Sequence, residues 1–356
     1  MQRAAPNSHR RPSSAASSTC TFGTRPNRRT SRDPHFGSSM RASAARPTGL
    51  PSGGRARDRP QLDQWGHAAL KGIIDSWTNS FLPDREALWD ATLEAQGIPI
   101  KVRRNPQDSF CEPERMIERM DEIAVSTLVL PTCDLPDGAG ITDYECFAMR
   151  LEETEQLAKE YPGRFVGQWS IDPQTGSAGV DRAREIATRD WIVALHVHTH
   201  SFDRPFDSSD YYPYYALAHE LDLPFVMQAG TSGGRFPSAC GHPIGIDRPA
   251  LYFPEVDFVL SHTGWPWVEE AVAMALKFSN VYLGTASLPP KRWHAALVDF
   301  IRGPGRKKTI FGTSFPTVGH RHALDQLPAL GLDEGVADDL MGGNARRVFT
   351  RIEKLS

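Results

Sequence analysis

The sequence predicts an α/β fold: a (β/α)8 TIM barrel with a disordered basic N-terminal extension. Three observations predict it. From about residue 68, eight short β-rich apolar runs alternate with helical stretches. Several of those runs, "WIVAL" and "VDFVL" among them, are continuously apolar, as strands buried on both faces must be. No glycine-rich phosphate loop follows the first run, which argues against an open doubly wound sheet. The expected organisation is an Arg/Ser/Pro-rich extension over 1–60 and a barrel over 68–354.

In chain order, "ALKGIIDSW" is the first strand. A charged, Pro-containing excursion over 80–110 then lies over one barrel mouth. "PERMIERMDEI" is an amphipathic helix with Met116, Ile117 and Met120 on one face. "VSTLVLPTC" is the second strand, "YECFAMRLEETEQLAKEY" a helix and "RFVGQWSIDP" the third strand. After the helix "SAGVDRAREIAT" comes the fourth strand, "WIVALHVHTH". "LPFVMQAG", "VDFVLSHTG", "NVYLGTAS" and "KTIFGTSFP" complete the set, with helical segments between them and two more after the last.

Charge is unevenly spread. Residues 1–60 hold 12 Arg and no Lys against two acids, Asp33 and Asp58, while the whole chain has a net charge of −3. That segment has almost no periodic apolar residues and reads as disordered. A basic arm suits nucleic acid or organelle targeting, but the acidic body carries no nucleic-acid motif, and a simple extension is the preferred reading. No run of about 18 apolar residues is present, so no membrane helix is expected. Cys20, Cys111, Cys133, Cys146 and Cys240 are scattered without C-x-x-C spacing, which fits reduced thiols and a cytoplasmic location. The expected partner is a small-molecule substrate, with neither nucleic acid nor membrane, and a homodimer is possible.

Function in such a barrel sits at the C-terminal strand ends. Those ends offer Trp77 and Asn79, Trp169, His196, His198 and His200, Gln228, His262 and Ser314. In "HVHTH", residues i, i+2 and i+4 of a strand share a face, so the three imidazoles are a candidate zinc-type cluster. Alternatively the strand ends at His198 and leaves His200 in the loop, with one imidazole merely walling a pocket. "GTSGGR" is an amide-rich loop that could cradle a carboxylate, with Arg235 as counter-charge. In "SHTGWPWVEEA", Gly264 allows a turn, Pro266 starts a helix, and Trp265 or Trp267 walls the pocket or packs on the barrel.

The motifs "FPSACGHPI", "SHTGWPWVEEA", "IFGTSFP" and "GGNARRVF", in that order, resemble the amidohydrolase-related branch of the amidohydrolase superfamily, over about residues 70–350. The resemblance implies a hydrolase or non-oxidative decarboxylase acting on small carboxylated or aromatic molecules. It also implies five metal-ligand positions, occupied here by Trp77, Asn79, Gln228, His262 and Ser314. The family has histidine at the first four and aspartate at the last, so only His262 is kept. Trp does not ligate, and Asn, Gln and Ser are weak neutral donors, so no cofactor is expected. Under that reading His262 is the general base or acid, and Asn79, Gln228 and Ser314 polarise a carbonyl. Trp77, Trp169, His198, His200, Arg235 and Trp265 bind substrate. The alternatives are one divalent metal such as zinc at a relocated site of His198, His200 and His262, and a non-catalytic barrel that binds a small molecule or a partner.

Overall fold

The computed structural model describes residues 72–96, 109–134 and 147–355, all within the unit Asp58–Ser356. The expected extension over 1–60 lies outside the described residues. Eight parallel strands form one curled sheet: β1 (Ile73–Asp75), β2 (Val125–Cys133), β3 (Phe165–Ser170), β4 (Ile192–Val197), β5 (Phe225–Gln228), β6 (Phe258–Ser261), β7 (Val281–Gly284) and β8 (Thr309–Ile310). Each pairs with its sequence neighbour. A two-residue strand, Met149–Arg150, adds to β2.

The ends of β1 and β8 close the ring. Ser76 N donates to Phe311 O at 3.0 Å, Ser314 N to Trp77 O at 2.8 Å and Asn79 N to Phe315 O at 2.8 Å. The barrel expected from the alternating pattern is therefore the fold observed. Its interior is an apolar column of β-branched residues from successive strands, Ile74, Val129, Val166, Val193, Val226, Val259 and Ile310. Val348, Phe349 and Ile352, from the C-terminal helices, join the same cluster. The opposite faces of the strands pack on the helices, as with Leu128, Phe165, Leu195, Phe225 and Phe258. Alternate residues of one strand thus serve two cores, which is why the runs read as continuously apolar.

Several elements are shorter than their sequence runs. β1 stops at Asp75, whose side chain accepts from Trp77 N at 3.1 Å. β4 stops at Val197, and His200 lies in the helical turn Thr199–Phe202. The helix expected from "YECFAMRLEETEQLAKEY" begins only at Leu151, where Arg150 N donates to Glu153 Oε2 at 2.9 Å. The helix after β6 begins at Val268, so Pro266 precedes it by two residues and does not start it. In the 80–110 excursion, Arg85–Gln96 is a helix.

Candidate active site

Asp75 organises the barrel mouth. It is fully buried and accepts five hydrogen bonds: from Trp77 N (3.1 Å), Thr313 N (2.9 Å), Thr78 Oγ1 (3.1 Å), His320 Nε2 (3.0 Å) and Thr313 Oγ1. A carboxylate so surrounded has its lone pairs satisfied and ties the end of β1 to the loop after β8. His320 stacks on Phe315 with ring centroids 4.5 Å apart. The side chains above Asp75 are fixed in turn. Trp77 Nε1 donates to Asn79 Oδ1 at 2.9 Å, and Asn79 Nδ2 donates to Ser314 O at 3.1 Å.

His262 follows β6. Ser261 Oγ donates to Met227 O at 3.1 Å and lies 2.9 Å from His262 Nδ1. With its one proton committed to the carbonyl, Ser261 Oγ accepts from Nδ1–H. The bare Nε2 then faces Ser314 Oγ at 3.3 Å. The Trp77 indole meets the His262 ring edge-on, centroids 4.6 Å apart, and meets His196 likewise at 4.8 Å. Burial in this apolar setting, with His200 adding repulsion, pushes the His262 pKa down to about 3. His196 is likewise pushed down to about 3 by burial and by His262. Burial also holds His198 well below the ordinary imidazole range, helped by His200, and lowers His200 as well. All four imidazoles are therefore neutral at pH 7.

Backbone strain gathers at the same mouth. His262 (φ 68°), Thr263 (φ 58°), Ser287 (φ 83°) and Ser314 (φ 58°) are non-glycine residues in the left-handed region. Gly230, at φ 86°, is different in kind. A Cβ there would lie 2.4 Å from Trp265 O, so only glycine lets the loop after β5 press on the loop after β6.

A cavity of about 90 Å³ opens between these groups, lined by Trp77, Asn79, His198, Gln228, His262 and Ser314 with Phe147 and Phe236. The structure thus brings together six of the ten residues expected from the sequence. The other four lie elsewhere. Trp169 points away from the barrel axis into the core beneath the helices, because alternation along β3 sends Val166 inward and Trp169 outward. His200 is buried with Nε2 donating to Gly230 O at 2.8 Å, a structural bond outside the cavity wall. Arg235 is exposed and absent from the wall. Trp265 is 53% exposed on the outer surface.

The loop "GTSGGR" does reach the cavity, since Ser232, Gly233 and Gly234 line it, while the amides at its start are committed. Gly230 N donates to Gly241 O and Thr231 N to Trp265 O, each at 2.8 Å. Sequence reasoning missed Ser261, whose signal is the adjacency "SH" at a strand end, and the aromatic lids Phe147 and Phe236. The three imidazoles of the relocated-metal reading do not form a ligand set. His198 Nδ1 is bonded to Ser201 Oγ and His200 Nε2 to Gly230 O.

Solved structures share this barrel. An uncharacterised TIM-barrel protein from Bordetella bronchiseptica matches with TM-score 0.61 and 21% identity, covering 79% of this chain and 99% of its own. A 2,6-dihydroxybenzoate decarboxylase from Rhizobium matches with TM-score 0.56 and 16% identity, covering 78% and 98%. A dihydroxybenzoic acid decarboxylase from a Polaromonas species, crystallised with manganese and the inhibitor 2-nitroresorcinol, matches with TM-score 0.55 and 17% identity, covering 78% and 97%. At these identities the likeness is one of fold. No curated protein matches the chain.

The manganese in the Polaromonas structure corrects the expectation of no cofactor: similar barrels are crystallised with a divalent ion. The side chains of this chain do not fit such an ion in the usual way. His262 is the sole imidazole or carboxylate among Trp77, Asn79, Gln228, His262 and Ser314, and among the described residues no three His, Cys, Asp or Glu side chains converge as ligands. Among them, too, no helix is long and apolar enough to cross a membrane. The family model for amidohydrolases matches residues 74–351, most of the chain and all eight strands but the first residue of β1. The chain is a member of the amidohydrolase family, an enzyme of that superfamily.

Proposed function

We propose that the cavity binds a small aromatic or carboxylated molecule and hydrolyses it, with His262 as general base. The observation that carries this reading is the state of His262. Its Nδ1 proton is held by Ser261 at 2.9 Å, its Nε2 lone pair faces the cavity, and burial keeps it neutral. A base must be unprotonated and aimed at the proton it takes, and because its pKa should lie near the working pH, this reading requires bound substrate to raise that of His262. Asn79 and Ser314 frame the reacting position, and the Gln228 amide offers N–H donors to a carbonyl oxygen. Trp77, Phe147 and Phe236 supply apolar walls for a ring. His198 is neutral and Arg235 is absent from the wall, so the pocket suits an aromatic or neutral acyl group better than a strongly bound carboxylate.

Decarboxylation of an aromatic acid is the second reading. It draws on the two benzoate-type decarboxylases that share the fold. A panel of aryl esters, lactones, amides and hydroxybenzoates, assayed for acid or carbon dioxide release, separates the two. His262→Gln is expected to lower turnover about 10²–10⁴-fold on the substrate found. Unchanged turnover in that variant removes His262 from the chemistry.

A further inference from the structure

The contacts around His262 describe more than a base for water. Ser261 Oγ gives its proton to Met227 O at 3.1 Å and takes one from His262 Nδ1 at 2.9 Å. This fixes the imidazole tautomer, as the third member of a hydrolytic triad does. Nε2 is left as an acceptor, and the hydroxyl within its reach is Ser314 Oγ at 3.3 Å. Such contacts are often long in a site without substrate. Ser314 is 4% exposed, lines the cavity and sits at φ 58°, four residues beyond β8. Its backbone is held from both sides. Ser314 N donates to Trp77 O at 2.8 Å, and its carbonyl accepts from Asn79 Nδ2 at 3.1 Å. A strained, anchored serine with its hydroxyl against an oriented imidazole is the arrangement of an activated nucleophile. Gln228, buried on the wall of the same cavity, carries an amide N–H for the developing oxyanion.

We propose that Ser314 is a catalytic nucleophile, activated by His262 with Ser261 as its orienting partner, and that the enzyme turns over small aryl esters or amides through an acyl-serine intermediate. Ser314 Oγ bonds to the carbonyl carbon as its proton passes to His262 Nε2. The carbonyl carbon's bond to the leaving oxygen or nitrogen then breaks, and the leaving group takes that proton. Water next attacks the acyl carbon, giving a proton to Nε2. The acid departs and Ser314 Oγ recovers the proton. The net change is ester or amide plus water to acid plus alcohol or amine. The idea rests on the reading of His262 as base, but it is tested without any substrate.

The test uses the full chain and an aryl fluorophosphonate, which replaces its P–F bond with P–O at an activated serine. Intact-mass and peptide spectra are expected to show one adduct per chain, on the peptide holding Ser314. Ser314→Gly, which suits the left-handed backbone, is expected to take no adduct, and His262→Gln to label at least about 100-fold more slowly. Circular dichroism and thermal melts check that both variants stay folded. Three results overturn the proposal: no adduct on the folded wild-type chain, an adduct that persists in Ser314→Gly, or undiminished labelling in His262→Gln. A wild-type protein that takes no adduct but loses turnover on His262→Gln would keep His262 as base for water and remove Ser314 as nucleophile.

Discussion

Acidification tests the state of the buried imidazoles directly. His262 and His196 are both pushed down to about 3, from an ordinary value of 6.5. A group whose folded pKa is depressed contributes stability that is present above 6.5 and lost as pH falls towards the folded value, because the unfolded chain binds the proton first. Between pH 7 and pH 5 the unfolded histidine gains roughly 1.5 units of protonation free energy, and the folded one gains almost none. That is about 2 kcal/mol per histidine. Two such sites give about 4 kcal/mol, a fall on the order of 1 M in the urea midpoint. Urea titrations at both pH values, with wild type and His262→Gln, measure it. The variant lacks one of the two groups and is expected to lose about 2 kcal/mol less on acidification. Equal losses in the two proteins, or a nitrogen NMR spectrum showing folded His262 protonated at pH 5, would refute the reasoning.

Two further substitutions probe the scaffold. Trp77→Ala removes a buried indole from between two imidazoles and frees Asn79 Oδ1, so about 3–5 kcal/mol of stability should be lost, read as a shift in urea midpoint. Asp75→Asn keeps the shape but replaces an acceptor with a donor facing the donors of Thr313, Thr78 and His320. A loss of about 3–5 kcal/mol is expected, again by urea titration, and a neutral result would mean Asp75 is not the clasp of the barrel mouth.

The barrel was legible because period and length coincide: runs such as "WIVAL" serve two cores at once and admit few other folds. The convergence of Trp77, Asn79, Gln228, His262 and Ser314 on one cavity was legible too, since strand ends of a closed barrel meet at its mouth. Direction was harder. Trp169 sits at a strand end, but its parity on β3 turns it outward, and a one-residue error in strand phase reverses such an assignment. Arg235 and His200 failed for another reason. Where a loop points is decided by backbone bonds such as Gly230 N to Gly241 O, which leave no trace in residue type. Ser261 was hidden because its role depends on where its proton goes, a matter of a carbonyl one strand away.

The four left-handed residues at the mouth, His262, Thr263, Ser287 and Ser314, bear on how this protein would respond to improvement. Each holds a conformation that costs of order 1 kcal/mol or more for a side chain with a Cβ, and glycine would relieve it. A laboratory selection for heat resistance alone would find those positions early and accept glycine there. Two of the four are the proposed base and the proposed nucleophile. Robustness and chemistry therefore pull in opposite directions at the same residues, and a thermostable descendant obtained without an activity screen would be a well-folded barrel with its working edge blunted.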